Sequence, residues 1–448
     1  MKVVVIDDDP TGSQTVHGCP LLLRWDPQTL QQGLRQPSSL MFLLADTRSL
    51  DPGMAAVRNQ EIAANLDAAL QAEGLRRADV QLVSRGDSTL RGHGVLEPNV
   101  LQNSFGPFDA TLHIPAFLEG GRTTVDGVHL LHGEPVHTTP FARDRLFGYS
   151  TSVLSAWLEE KSQGAIPAET VQLVSASELN QASDQGLDAL VDRLRAFSAN
   201  TAVVVDAERQ EQLSALAAAI SALQQEKRFL FRSAASWVKA LADPGPQPLD
   251  ATGLAGLRRR SPTGSAWPGL VMVGSHVPLA DQQLQCLLTQ PSCRGIELPV
   301  PRIARVLDGP MADLLLRDLK RAWQQQITEV LDQNQTPVLF TSRGELTFAR
   351  EQDGRRFSKA LAQVMGQLAA GVSARLGYLI SKGGITTQTL LSEGLGVESV
   401  QLEGQLLPGL SLVRPSSGSA ADLPILTFPG NLGETDTLLE AWQLMQTC

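Results

Sequence analysis

The sequence predicts two α/β domains, each with a largely parallel sheet flanked by helices, and with an active site in the cleft between the domains. Three observations support this fold class. Short apolar runs rich in β-branched residues recur along the chain, amphipathic helical patterns separate them, and a Pro- and Gly-rich segment interrupts the alternation near the middle. A chain of 448 residues has the length expected for two or three domains.

In the first half of the chain, the apolar runs that predict buried strands are residues 3–6, 40–44, 80–83, 111–114 and 203–205. Helical patterns fit residues 54–72, 186–197 and 210–226. Strands that alternate with helices in this way are typical of a parallel sheet with crossover helices.

Residues 243–269 change in character, with five prolines and the run Arg258-Arg259-Arg260. We therefore predict a substrate-binding domain over residues 1–245, a linker over 246–268 and a nucleotide-binding domain over 269–448. In the last of these, strands are predicted at 269–273, 337–340, 377–380 and 425–428, and helices at 279–288, 311–331, 358–376 and 435–446.

Composition excludes several classes of protein. A net charge of -10 argues against a general nucleic-acid binder, which needs a basic surface to neutralise phosphates. The four scattered cysteines form no CxxC pair, so we expect no zinc or disulfide framework and a cytoplasmic location. No apolar run approaches the length of about 18 residues that a membrane span needs, and we expect no signal peptide.

The segment Asp7-Asp8-Asp9-Pro10-Thr11-Gly12 follows the first predicted strand. Three adjacent carboxylates repel one another unless they bind a cation, share protons or accept hydrogen bonds. Because ligands of parallel α/β sheets bind at the carboxyl ends of strands, a carboxylate here is a candidate general base or metal ligand. The alternative is a helix cap, for which a single Asp or Thr suffices.

A second polar segment, from Ser84 to Gly92, follows the strand that ends at Val83. Arginine can hold a carboxylate through two parallel hydrogen bonds, and Asp, Ser and Thr can hold hydroxyls, so this segment suits an acidic sugar. Its candidate residues are Arg85, Asp87, Ser88, Thr89 and Arg91. Arg48 and Arg122 are further candidates in other loops, whereas an ordinary salt-bridged surface loop is the structural alternative.

Three glycine-rich loops follow predicted strands in the second half of the chain. Backbone N–H groups in such turns cradle phosphates, and three of them favour a nucleotide over plain turns. The candidate residues are Gly274, Ser275, Gly383, Gly384, Thr386, Gly430, Asn431 and Gly433. The spacing matches neither a P-loop nor a dinucleotide-binding motif.

Taken in order, these segments resemble the four-carbon acid sugar kinase family. Asp8-Asp9-Pro10-Thr11-Gly12 is similar to the family's Asp-Asp-x-Thr-Gly, and Asp87-Ser88-Thr89-Leu90-Arg91-Gly92 to its second element. The resemblance implies an ATP-dependent kinase that phosphorylates a terminal hydroxyl of threonate, erythronate or an oxo form, with Mg²⁺ as the partner of the phosphates. It makes Asp8 or Asp9 the catalytic base and places Thr11 and Gly12 with the substrate-binding residues.

Two positions depart from the family pattern. The usual Gly-Gly-Asp-Thr is Gly383-Gly384-Ile385-Thr386, which lacks the carboxylate. The usual basic residue before the last Gly-Asn-x-Gly is replaced around Phe428-Pro429. The metal ligands are therefore not specified.

Two other functions stay open at this stage. Asp7-x-Asp9-x-Thr11 also fits the nucleophile motif of haloacid-dehalogenase-type phosphatases, in which Asp7 would carry the phosphoryl group. A sensor that binds sugar acid or nucleotide without turnover is the non-catalytic alternative. We predict small-molecule partners, no nucleic acid and no membrane, and a homodimer is compatible with the sequence.

Overall fold

A computed structural model describes residues 1–9, 12, 15–342 and 351–446. The chain divides into two compact units, Met1–Gly245 and Pro246–Cys448. Within the described residues, no helix is long and apolar enough to cross a membrane.

The first unit is built on a parallel sheet with the strand order β2-β3-β1-β4-β11-β5-β10-β9. These strands are β1 (Lys2–Asp7), β2 (Cys19–Leu22), β3 (Leu40–Leu44), β4 (Val80–Arg85), β5 (Ala110–Ile114), β9 (Gln172–Val174), β10 (Thr201–Val205) and β11 (Phe229–Ser233). A small antiparallel sheet joins β6 (Arg122–Val125), β7 (Val128–Leu131) and β8 (Glu134–Pro135).

Helices cover this sheet: α1 (Pro27–Arg35), α2 (Pro52–Ala72), α3 (Leu96–Phe105), α4 (Leu154–Lys161), α5 (Ala176–Gln185), α6 (Asp188–Arg195), α7 (Gln210–Ala222) and α8 (Ala235–Ala242). Local sequence fixes where several of them begin. The Asp51 carboxylate accepts a hydrogen bond from the Met54 amide at 3.0 Å, and Pro52 starts α2, so both signals favour a helix N-terminus there.

The second unit has a sheet in which β13-β14-β12-β15-β18 are parallel and β17 and β16 continue antiparallel. Its strands are β12 (Leu270–Val273), β13 (Cys293–Leu298), β14 (Thr336–Thr341), β15 (Leu379–Lys382), β16 (Ser399–Leu407), β17 (Leu410–Pro415) and β18 (Ile425–Phe428). Its helices are α9 (Ala251–Ala255), α10 (Pro278–Leu288), α11 (Val300–Leu307), α12 (Ala312–Asp332), α13 (Glu351–Ala370), α14 (Gly384–Thr389) and α15 (Thr437–Gln446).

The predicted α/β class is confirmed, and most strands and helices predicted from periodicity lie within a few residues of their predicted bounds. The exception is the helix predicted at 358–376, which is α13 at Glu351–Ala370. The predictions did not include β2, β11, β13 and the β16–β17 hairpin. The segment 246–268, predicted as a linker, falls in the second unit and contains α9, whose Leu254 and Ala255 are buried in that unit's core. The proline content of residues 246–268 suggested a linker, but apolar residues within this segment pack in the core of the second unit.

The strand order places the polar loops together within each unit. β1 lies between β3 and β4, and β4 pairs in turn with β11, so the loops that follow Asp7, Leu44, Arg85 and Ser233 leave the same edge of the sheet. In the second unit β15 lies between β12 and β18. Each set of loops therefore has the position at which parallel α/β sheets bind ligands.

Candidate active site

In the first unit, three arginines surround the carboxylate of Asp8. Asp8 is buried, and Arg48 donates to both of its oxygens, at 2.6 Å from Nη2 and 3.3 Å from Nε. Arg85 and Arg232 each approach it to 3.8 Å. Gly92 permits this packing, because it has a φ of +90° and an added Cβ would lie 2.9 Å from the Asp8 Oδ2 atom.

Asp9 is more accessible than Asp8. Its side chain is 23% exposed, against 1% for Asp8, and it forms an ion pair of 3.1 Å with Arg48 Nη1. A base that takes a proton from a substrate must reach that substrate, and the Asp8 carboxylate is buried among three guanidiniums. Of the two predicted catalytic residues, Asp9 is therefore the one whose carboxylate is accessible to a ligand.

Asp7, the last residue of β1, is also buried. Arg85 Nη1 approaches it to 3.3 Å, and the Asp9 amide donates to it at the same distance. Burial raises the pKa of Asp7 to about 7; the Arg85 charge opposes this shift, and Asp8 and Asp9 add to it. The Gly12 backbone packs directly on the Asp7 carboxylate, and Thr11 lies outside the described residues.

We expect Asp7→Asn to stabilise the folded protein most at alkaline pH. A carboxyl group whose pKa is raised in the folded state keeps its proton there more readily than in the unfolded chain. Ionisation therefore lowers stability as the pH rises from about 4 to about 7, and above that range the loss is complete and constant. At pH 8 the variant should gain roughly 1–3 kcal/mol over the unaltered protein, and near pH 4 much less.

Urea unfolding of both proteins at pH 4.5, 6 and 8 measures this difference. An advantage for the variant that does not grow with pH would contradict the shifted pKa.

The second predicted segment forms one network around Asp87. Arg91 Nε donates to the Asp87 carboxylate at 2.7 Å and to Thr89 Oγ1 at 3.1 Å, and the Thr89 hydroxyl also bonds to Asp87. Burial acts to raise the pKa of Asp87, but Arg48 and Arg91 outweigh it and hold that pKa well below its usual range. Asp87 is therefore an ionised acceptor that can bind substrate hydroxyls.

Buried histidine and tyrosine side chains form hydrogen bonds with the backbone of the Asp87–Arg91 segment. His129 Nε2 lies 2.8 Å from the Ser88 carbonyl oxygen, and the Tyr149 hydroxyl donates to the Thr89 carbonyl at 2.7 Å. Burial lowers the pKa of His129 to about 4, which makes it a neutral structural group near pH 7. Ser88 itself is buried, so its hydroxyl is less accessible than the sequence suggested.

A pocket beside Asp87 contains buried polar atoms that have no hydrogen-bond partner in the described part of the chain. Its lining includes Gly86, Asp87, Arg91, His113, Trp157, Arg232 and Ser233. His113 Nδ1, Ser233 Oγ and Trp157 Nε1 are unpartnered, as is Arg85 Nε nearby. Because unsatisfied buried polar groups are costly, a bound water would be stabilised here, and the cavity of about 20 Å³ has room for about one.

Arg122 differs from the other predicted arginines. Its Nη1 donates to the Gly120 carbonyl, its guanidinium lies 5.6 Å from the Phe117 ring centroid, and its Nε is buried without a partner. Burial lowers its pKa, while Asp87 and Arg91 act on it in opposite directions. Among the described residues no carboxylate forms an ion pair with it, whereas Arg48, Arg85 and Arg91 are each paired.

Two buried charged residues of this unit, Arg232 and Glu97, were not among the residues predicted from the sequence. Arg232, on β11, contacts Glu97 on α3 and donates to Ser84 Oγ at 2.8 Å, and Glu97 also accepts from Thr47. Burial raises the pKa of Glu97, against the opposing charge of Arg232. An arginine directly after the apolar run Phe229-Leu230-Phe231 was the available signal, since a charged residue in a buried strand needs a partner.

In the second unit, the predicted loops after β12, β15 and β18 meet. The Gly274 amide donates to the Lys382 carbonyl at 3.1 Å, and the Gly383 amide to the Phe428 carbonyl at 2.8 Å. Added Cβ atoms at Gly274 and Gly430 would collide with Thr386 Oγ1 and Ser275 Oγ. The backbones and hydroxyls of these loops are therefore close enough to contact one ligand.

Gly384 begins α14, whereas Asn431 and Gly433 are exposed further along the last loop. Gln283 holds that loop, because its Nε2 donates to the carbonyls of Leu432 and Glu434 at 3.0 and 2.6 Å. Ile385, where the family pattern has a carboxylate, is 58% exposed. Within the described residues, no group of three His, Cys, Asp or Glu side chains is arranged to hold a metal ion.

Both halves of the chain match known domain families. Residues 3–241 match a sugar-binding N-terminal domain, and residues 270–438 match a nucleotide-binding C-terminal domain. The chain belongs to the four-carbon acid sugar kinase family. This membership was predicted from the motifs and is confirmed.

The sequence similarity to individual members of this family extends over most of the chain. A D-threonate kinase of Cupriavidus necator is 30% identical over 408 residues, which are 89% of this chain and 86% of the relative. A D-threonate kinase of Salmonella typhimurium is 26% identical, covering 98% and 97% of the two chains. A D-erythronate kinase of Heliobacterium modesticaldum is 25% identical, covering 97% and 95%.

Solved structures share the fold. A Haemophilus influenzae protein aligns with a TM-score of 0.66 at 16% identity, covering 98% of this chain and 99% of that one. A Salmonella typhimurium protein aligns with a TM-score of 0.68 at 15% identity, covering 98% of each.

Proposed function

We propose that the protein transfers the terminal phosphoryl group of ATP to the terminal hydroxyl of a four-carbon sugar acid of the D-threonate or D-erythronate type. The observation that carries this proposal is the Asp8–Asp9–Arg48 cluster next to the Asp87–Arg91 network in one unit. The nucleotide-binding family match and the three converging glycine loops of the other unit support ATP as the donor.

The sugar acid is proposed to bind through charge and hydrogen bonds. Arg122, which has no carboxylate partner among the described residues, would hold the substrate carboxylate together with Arg91. Asp87 and Thr89 would accept and donate hydrogen bonds at the substrate hydroxyls. Arg48 and Arg85, proposed from the sequence as carboxylate ligands, are committed to Asp7, Asp8 and Asp9 and would instead fix those carboxylates.

In the proposed reaction the substrate hydroxyl attacks the terminal phosphorus atom of ATP. An oxygen–phosphorus bond forms, the bond to ADP breaks, and the hydroxyl proton passes to Asp9. Phosphoryl transfer depends on positioning and charge stabilisation, which arginines and loop amides supply. The described residues offer no cluster of metal ligands, so we propose that Mg²⁺ arrives as MgATP, held by phosphates and water.

A coupled ADP-release screen tests this function. The unaltered protein is offered MgATP with D-threonate, L-threonate, D-erythronate, their oxo forms and five-carbon controls, and products are identified by mass spectrometry. We expect ATP-dependent phosphorylation of a four-carbon acid. Phosphate release without ATP from a phosphorylated substrate would instead favour the phosphatase alternative, and binding of both ligands without product would favour the sensor.

We expect Arg122→Met to raise the KM for the sugar acid by about 10- to 100-fold, because hydrogen bonds to charged groups contribute roughly 1.5–3 kcal/mol. The kcat at saturating substrate and the affinity for ATP should change much less. Arg76→Met, at an exposed surface ion pair, is the matched control. If both variants keep the KM of the unaltered protein, Arg122 does not bind the carboxylate.

A further inference from the structure

Lys382 is a buried lysine at the centre of the second unit's loops. It is the last residue of β15, its relative exposure is 0%, and Gly383 follows it directly. Its Cα pairs with Val273 on β12 and with Phe428 on β18, so it lies between the strands from which the other two glycine loops leave. Lys382 was not among the nucleotide-binding residues predicted from the sequence.

The ammonium group has few partners. Its Nζ donates to the Pro429 carbonyl oxygen at 3.0 Å and lies 3.8 Å from the centroid of the Phe428 ring. In the described part of the chain no carboxylate forms an ion pair with it. A lysine ammonium has three N–H donors, so one carbonyl and one ring face leave donor capacity unused.

A lysine in this position is costly for the protein. Burial lowers the pKa of Lys382 to about 7. A buried cation is ordinarily balanced by an anion, because its desolvation is otherwise uncompensated. Packing alone does not require this residue, since an apolar side chain could cover the Phe428 ring without that cost.

An anionic ligand between the loops would supply the missing charge. The Pro429 carbonyl that accepts from Lys382 immediately precedes Gly430, and Gly430 packs against Ser275 in the neighbouring loop. The amine therefore contacts the loop after β18, which itself packs on the loop after β12.

We propose that Lys382 binds the phosphates of the nucleotide and makes the second unit select nucleoside di- and triphosphates over the nucleoside. This inference rests on the proposed function, because it assigns the cation of the ATP site.

The test compares Lys382→Met, Lys382→Gln and the control Lys359→Met by calorimetric titration with MgATP, MgADP, tripolyphosphate and adenosine. Glutamine keeps a donor for the Pro429 carbonyl but removes the charge, which separates a structural role from an electrostatic one. Lys359 is 63% exposed on α13 and pairs with Glu393, so its loss should not affect the nucleotide.

We expect both Lys382 variants to bind MgATP about 10- to 100-fold more weakly, with adenosine affinity unchanged. Sugar-acid affinity should also be unchanged. A folded Lys382→Gln variant that binds MgATP as tightly as the unaltered protein would overturn the inference.

A second test moves the lysine from position 382 to position 428 on the neighbouring strand. This test decides the question if the single variants fail to fold. In Lys382→Ser/Phe428→Lys the ammonium approaches the same position from β18, because residues 382 and 428 are register partners. Recovery of MgATP affinity supports the inference, and a folded swap protein that does not bind MgATP contradicts it.

Failure of the inference is distinguishable from failure of the proposed function. If the unaltered protein phosphorylates a sugar acid but Lys382→Gln keeps its affinity for ATP, only the role of Lys382 is wrong. If the unaltered protein neither binds ATP nor forms product, the proposed kinase function itself is wrong.

Discussion

Replacement of Asp9 by asparagine is expected to lower kcat by about 100-fold or more, because a positioned general base contributes roughly 10²–10⁴ to the rate. The substitution keeps the size of the side chain and removes its ability to take a proton. Asp9 is the more exposed of the two predicted catalytic carboxylates, so it can approach a substrate hydroxyl. MgATP affinity, measured by calorimetry, should be unchanged.

Asp184→Asn, on the exposed face of α5, is the control for Asp9→Asn and should keep full turnover.

Asp8→Asn tests the role of the enclosed carboxylate. It leaves Arg48, Arg85 and Arg232 facing one another around an uncharged group, so both stability and turnover should fall. Full turnover in Asp9→Asn together with its loss in a stably folded Asp8→Asn variant would move the base to Asp8.

Arg232→Met is expected to destabilise the first unit by about 3–5 kcal/mol, the usual cost of leaving a buried charge without its partner. Arg232 and Glu97 are both buried, and Arg232 also approaches Asp8. Its removal leaves Glu97 unpaired beside Thr47 and leaves Asp8 with one guanidinium fewer. Urea unfolding measures the effect, with each transition fitted separately because a two-unit chain need not unfold in one step.

The double variant Arg232→Met/Glu97→Gln should recover part of the lost stability, because no unpaired buried charge then remains at that position. Arg195→Met is the matched control: Arg195 also forms ion pairs, with Asp192 and Glu226, but at the surface. Water screens such an exposed pair, so its loss should change the stability little. Equal losses for Arg232→Met and Arg195→Met would contradict the buried ion pair.

The arginines show why a residue's type did not specify its role. Arg48, Arg85, Arg91 and Arg122 were equivalent candidates in the sequence, since each sits in a polar loop. Packing distinguishes them: Arg48 and Arg85 bind the strand-end aspartates, Arg91 binds Asp87, and Arg122 has an unpartnered Nε. Partner choice depends on distances between loops that are up to about eighty residues apart in the chain.

Sequence alone determined the α/β class, the family and most of the polar loops. Strand periodicity and the Asp-Asp-x-Thr-Gly and Asp-Ser-Thr-Leu-Arg-Gly motifs are local, and residues a few positions apart define them without reference to the rest of the chain. The same local signals located the Asp7-Asp8-Asp9 segment after β1 and the glycine loops after β12, β15 and β18.

Only the tertiary structure showed that Asp8 is enclosed while Asp9 is accessible, and that Arg232 and Glu97 form a buried ion pair. It also showed that Lys382 is buried next to the loop after β18 and that, among the described residues, no carboxylate pairs with its ammonium group. These properties arise from strand order and from burial. β11 brings Arg232 beside β4, and β15 places Lys382 between β12 and β18. Whether a charge is paired or solvated depends on those long-range neighbours, which local sequence patterns do not specify.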